Sequence, residues 1–106
     1  MIITSKEKFI NWLKIEHYKD WTMNGYKSTI FQYVYAIESV MKNEGIESFS
    51  ELTEHIQRLI REYSYFGPKK DFGEKSHNTV INGLKRFMDF LINNYGFIPS
   101  RKIYFV

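Results

Sequence analysis

The chain of 106 residues contains no cysteine, only two prolines and only six glycines. Without cysteine there is no disulfide framework, no thiolate nucleophile and no cysteine-ligated zinc, so packing alone must hold the fold together. The scarcity of proline and glycine leaves few points at which regular structure can be interrupted. No apolar run approaches the roughly 20 residues of a membrane-spanning helix, and the Met1-Ile2-Ile3 start leads straight into charged residues. Neither a transmembrane span nor a signal peptide is therefore expected, and we read the chain as soluble and cytoplasmic, with no membrane partner.

Recognisable catalytic chemistry is missing as well. His17, His55 and His77 are far apart and fit no metal-ligand spacing, and no serine sits in a G-x-S-x-G elbow. Gly67-Pro68-Lys69-Lys70-Asp71-Phe72-Gly73-Glu74-Lys75-Ser76 approaches a phosphate-binding G-x-x-x-x-G-K-[ST] loop. Its spacing is wrong, however, and a helical pattern precedes it where such a loop follows a strand. These absences predict no enzyme activity, no metal, no cofactor and no small-molecule substrate.

What is present is core material. Hydrophobic residues make up 43% and aromatics 18% of the chain, including 9 Phe and 8 Tyr, enough for one folded domain. The net charge of +3 is unevenly spread. Residues 1–66 carry 8 Lys and Arg against 9 Asp and Glu, a net of −1, while residues 67–106 carry 7 against 3, a net of +4. The positive charge belongs to the C-terminal third.

Apolar spacing at 3.6-residue periodicity predicts an all-α protein of four helices. The first opens on a Thr4-Ser5-Lys6-Glu7 capping box, places Phe9, Ile10, Leu13 and His17 on one face with Trp12 and Ile15 beside it, and stops at Thr22-Met23-Asn24-Gly25. The second spans about Ser28 to Glu44, with Ile30, Tyr33, Val34, Ile37 and Met41 inward and Gly45 as its C-terminal cap. The third begins at the capping box Ser48-Phe49-Ser50-Glu51 and continues through Leu52, Ile56, Leu59, Ile60 and Tyr63 to Gly67-Pro68. Its outer face, Glu51, Glu54, Arg58, Arg61 and Glu62, reads as solvated. A flexible loop from Gly67 to Lys75 leads to a fourth helix with Ser76 as N-cap, burying Val80, Leu84, Phe87, Met88 and Leu91 and closing at Asn94-Tyr95-Gly96. Residues 1–96 thus form the domain, and 97–106 an extended tail or the start of a linker.

Two surfaces suggest a partner. On the fourth helix Lys75, Asn78, Asn82, Lys85 and Arg86 share the polar side. Asn pairs with adenine, Lys and Arg with guanine or phosphate, so this face suits DNA. Lys27, Ser28 and Thr29, taken as the start of the second helix, offer a cation, hydroxyls and backbone amides at a positive dipole end. Ordinary capping explains Ser28 equally well. Separately, the tail ends in Ile103-Tyr104-Phe105-Val106, an apolar segment suited to a protein partner or to self-association in trans.

The residues Phe9-x-x-Trp12-Leu13, Ser28-Thr29-Ile30 with Tyr33 and Ile37, Gly45-Ile46, and above all Ser76-His77-Asn78-Thr79-Val80-Ile81-Asn82-Gly83-Leu84-Lys85-Arg86-Phe87-Met88-Asp89-Phe90-Leu91 form a known pattern. From about Ser5 to Asn94 the chain resembles the N-terminal core-binding domain of tyrosine recombinases, the phage integrases. The resemblance implies a SAM-like four-helix bundle forming half of a clamp around duplex DNA in integration or recombination, with the second and fourth helices at the major groove and backbone. Carried over by position, Lys27, Ser28, Thr29 and Tyr33 meet phosphates, and Lys75, Asn78, Asn82, Lys85 and Arg86 approach bases or phosphates. The family's catalytic domain, with its arginines and tyrosine nucleophile, has no counterpart here. Two readings follow: a non-catalytic DNA-binding module, or a small regulator, encoded by a phage or mobile element, that uses the same fold to bind a recombinase, repressor or host protein.

Overall fold

In a computed structural model the protein is all-helical over the residues described, 2–17 and 23–99, with the side chains at 16, 17, 23–29 and 77 lying outside that description. Its elements are α1 (Lys6–Trp12), continued by a π turn over Leu13–His17, then α2 (Met23–Glu44), α3 (Phe49–Tyr63), the short α4 (Lys70–Gly73) and α5 (Lys75–Tyr95). Among the described residues there is no strand. The four expected helices are all present, and a fifth occupies the segment expected to be a flexible loop. Among the described residues no helix is long and apolar enough to cross a membrane.

Three helix ends differ from the sequence expectation, each for a local reason. Ser5, not Thr4, caps α1, accepting the Lys8 N–H at 3.3 Å. The Thr4 hydroxyl is engaged elsewhere: it accepts from the Tyr95 phenol at 2.8 Å. The Thr4 backbone N–H meanwhile donates to Ser50 Oγ at 2.9 Å, and that hydroxyl returns a bond to the Thr4 carbonyl at 3.1 Å. The N-terminus is thereby tied to the start of α3 and the end of α5. Second, α2 includes Met23, Asn24 and Gly25, which were expected to close the first helix; the glycine there is absorbed by a helix of 22 residues. Third, Ser76 is not an N-cap. The chain passes from α4 into α5 through Glu74 with no side-chain cap, and Ser76 and Asn78 take φ values of 56° and 70° in an irregular first turn. The π turn also widens the end of the first helix so that adjacent Trp12 and Leu13 are both buried while Ile15, expected beside the inward face, is exposed.

Other signals hold. Ser48 accepts from the Glu51 N–H at 3.0 Å, and the Glu51 carboxylate accepts from the Glu47 N–H, closing the expected box one residue further out; each such cap is worth about 1 kcal/mol. Gly45, at φ 72°, ends α2, and the Ile46 N–H returns to the Met41 carbonyl at 2.9 Å with both side chains buried, the pattern of a Schellman cap.

Phe9, Phe49, Phe87 and Phe90 meet edge-on or tilted with ring centroids 5.2–5.7 Å apart, joining α1, α3 and α5 around Phe87. The predicted inward residues of the second and fourth helices are all buried or packed against this core. Against it α2 and α5 cross at Gly83, where an added Cβ would stand 3.3 Å from the Tyr33 carbonyl oxygen. Tyr33 is consequently half-buried against the core.

A polar cluster secures the other end. Glu44, its side chain only 8% exposed, accepts from the Tyr63 phenol at 2.7 Å and pairs with Lys69 at 2.5 Å and Arg58 at 3.4 Å. Glu62 shares both cations, at 2.9 Å from Arg58 and 3.2 Å from Lys69. Arg58 and Glu62, expected on a solvated face, thus join α3 to the end of α2 and to the chain before α4. Gly73 completes the junction, since a Cβ there would overlap the Tyr63 carbonyl. Gly73→Ala is expected to lower unfolding free energy by about 2 kcal/mol in urea denaturation, as overpacking does; a loss below about 0.5 kcal/mol would show that α4 can move away freely.

The same cluster dictates a pH profile. Burial pushes the Glu44 carboxyl up, but hydrogen bonds from Lys69 and Tyr63 outweigh it and hold its pKa below the ordinary value of 4.5. Its hydrogen bond to the Glu44 carboxylate holds Lys69 above its ordinary 10.5, and burial followed by the bond to Glu44 raises Tyr63 above 10.0. The Glu44 contribution to stability is complete above about pH 4.5 and is lost as pH falls through its lower folded pKa. Those of Lys69 and Tyr63 are complete below about pH 10 and are lost as pH rises through their raised values. In melting curves across pH, Glu44→Gln should lower Tm at neutral pH and flatten both limbs; unchanged limbs would place the titrating groups elsewhere.

Candidate nucleic-acid interface

The helix α5 is held by one apolar side, which fixes what the other presents. With Val80, Leu84, Phe87, Met88 and Leu91 inward, Asn82 and Lys85 are exposed and Arg86 is half-exposed on the opposite stripe. Asn82, Lys85 and Arg86 share one face of the regular helix, whereas Lys75 and Asn78 are exposed in its irregular first turn, where Lys75 is turned to Phe72 and the α2 side. That face is less positive than the sequence suggests. Arg86 pairs with Asp89 at 3.2 Å, one turn on and in the same stripe. Lys85, although four residues from Asp89, makes no ion pair with it. The Lys75 ammonium lies 4.3 Å from the centre of the Phe72 ring, on α4.

The start of α5 faces the middle of α2. Between them runs an open groove of about 460 Å³, with Ala36, Phe72 and Val80 providing apolar lining and Tyr35, Ser39 and Lys75 among its polar ones. The Ser39 hydroxyl donates to the Ala36 carbonyl at 2.7 Å.

The second predicted surface changes its meaning. Lys27, Ser28 and Thr29 are not at a helix start, because α2 is already helical from Met23 and their backbone amides lie beyond its first turn. These three thus offer no unpaired amides at a dipole end, and their side chains lie outside the described residues. Tyr33, which the family resemblance assigns to phosphate, is half-buried and packed against the core. Ile103, Tyr104, Phe105 and Val106 also lie outside the described residues.

Two residues that the sequence reading passed over are prominent on α2. Phe31 and Tyr35 are 40% and 65% exposed, and their rings stack 6.2 Å apart at 23°. Their signal was available: an i, i+4 aromatic pair on the polar side of an amphipathic helix. A second exposed pair, Tyr65 and Phe66, stands at the tip after α3 with the Lys70 ammonium 4.9 Å from the Tyr65 ring. Among the described residues no group of His, Asp and Glu gathers as metal ligands.

No protein-family model matches the chain, and no curated protein or solved structure does either. What the α5 face does must be argued from its own chemistry. Because Lys85 is exposed and Arg86 is half-exposed with only a surface ion pair to Asp89, Lys85→Glu with Arg86→Glu is expected to leave unfolding free energy within about 1 kcal/mol of the parent. A larger loss in thermal denaturation would assign the pair a structural duty.

Proposed function

We propose that this protein is a non-catalytic DNA-binding module of the SAM-like, core-binding type, gripping duplex DNA with the exposed face of α5 and the N-terminal turns of α2 that carry Lys27, Ser28 and Thr29. The observation that carries this reading is the polar side of α5: Asn82, Lys85 and Arg86 on one accessible face of a helix packed from behind, with Lys75 and Asn78 exposed in its first turn. Amides and cations in that arrangement match base edges and phosphates. The resemblance to the recombinase core-binding domain supports the same two helices. With few cations the grip is weak and dominated by phosphate contacts, so it depends steeply on salt.

The regulator reading has its own support in the exposed aromatics Tyr65 and Phe66, remote in sequence from the α5 stripe and suited to a protein groove. It would be favoured if DNA binding failed.

Fluorescence anisotropy with a duplex of about two helical turns at 50 and 200 mM salt separates them. If the three cations Lys75, Lys85 and Arg86 each neutralise one phosphate, affinity should fall by about fortyfold over that range. Lys85→Glu with Arg86→Glu should abolish binding. Asp89→Asn, which releases Arg86, should tighten it and steepen the salt slope. No association at 50 mM, or parent-like binding by the charge-reversed variant, would refute the placement.

A further inference from the structure

We infer that the exposed Phe31–Tyr35 pair on α2 is a stacking platform for unpaired bases, so that single-stranded nucleic acid is a ligand of this protein alongside duplex. The inference rests on the nucleic-acid reading of α5 and adds to it a substrate class that a half-clamp for duplex does not require.

The physical case begins with what the two rings could cover. In a duplex the flat faces of the bases are already stacked on one another, and a protein meets only their edges, sugars and phosphates. Two aromatic rings exposed on a helix gain little from such a surface. An unpaired base offers a π-face, and stacking on Tyr or Phe is tolerant of sequence because every base has one. The rings of Phe31 and Tyr35 already lie nearly parallel, at 23°, as neighbours in a continuing stack would.

The surroundings fit a nucleotide better than a protein. At 40% and 65% exposure the pair presents about 200 Å² of ring, far short of the roughly 800 Å² per partner of a stable protein interface. Polar residues bracket it: Gln32 beside it, Ser39 one turn beyond Tyr35, and exposed Lys42 two turns beyond, while the one carboxylate on this stripe, Glu38, is paired with Lys6 at 3.2 Å. Tyr35 also lines the α2–α5 groove, and Lys75 lines the same groove from α5. A base stacked on Tyr35 would therefore place its phosphate toward one of two cations, Lys42 along α2 or Lys75 across the groove. Alternating aromatic and basic positions are what single-strand grooves use.

The test compares a labelled single strand of about ten thymidines with a duplex of the same length by anisotropy, for the parent and for Phe31→Ala with Tyr35→Ala. The parent should bind both. The double variant should lose single-strand affinity by about tenfold or more and hold duplex affinity within about twofold. Tyr35→Trp should restore or tighten single-strand binding, which a merely structural tyrosine would not do. Should the double variant fail to fold by circular dichroism, Tyr35→Ala alone carries the same expectation, since this ring is the more exposed. A parent that binds duplex but not the single strand, or a folded variant with unchanged single-strand affinity, overturns the platform and leaves the duplex reading standing. A parent that binds neither overturns both. A dimer in sedimentation that the double variant dissolves would give the rings to a second copy of the chain and likewise overturn the inference.

Discussion

The approach of α5 to α2 at Gly83 sets the distance between the two longest helices, and with it the groove and the relative placement of both exposed faces. With no side chain at position 83, the α5 backbone comes close against the Tyr33 carbonyl and the Ile37 side chain. A branched residue there would separate the helices, open the groove and draw Phe87 away from the rings of Phe9 and Phe49. The aromatic core and the exposed faces of α2 and α5 thus depend on one contact. Charge on α5 is displayed by a helix whose orientation is set from behind.

Much of this architecture was legible in the sequence because it is carried by periodic apolar residues. Ile30, Val34, Ile37 and Met41 on α2, and Val80, Leu84, Phe87 and Leu91 on α5, were identifiable by spacing alone and are buried. What spacing could not show lay at the helix ends, where tertiary partners compete for the capping groups. Thr4 looks like a cap until Tyr95 claims its hydroxyl from 91 residues away. Gly25 looks like a terminator, but the helix continues through it. The run from Gly67 to Lys75, polar and glycine-bearing, looks like a loop; Lys69, bonded to Glu44 and Glu62, and the fit of Gly73 against Tyr63 order it.

The candidate interface was legible to a different degree. Helical geometry alone places Asn82, Lys85 and Arg86 on one side, away from the core, but it could not foresee the irregular first turn that carries Lys75 and Asn78. The pairing of Arg86 with Asp89 also follows from an i, i+3 spacing, yet its consequence, a stripe with one cation fewer than its composition implies, emerges only when the geometry shows that Asp89 bonds Arg86 and not Lys85. The surface around Lys27 was misread because the start of α2 was placed too late. Phe31 and Tyr35 were overlooked because an aromatic residue near a hydrophobic face is easily counted with the core.

The three-way tie among Thr4, Ser50 and Tyr95 brings the beginning of the folded unit within hydrogen-bonding distance of its last helical turn. A domain whose two ends emerge side by side can be lifted out and set into a surface loop of another protein without stretching either chain, and its own ends can be joined and reopened elsewhere as a circular permutant. The bundle is, in this respect, built as a cassette: its covalent order is separable from its packing.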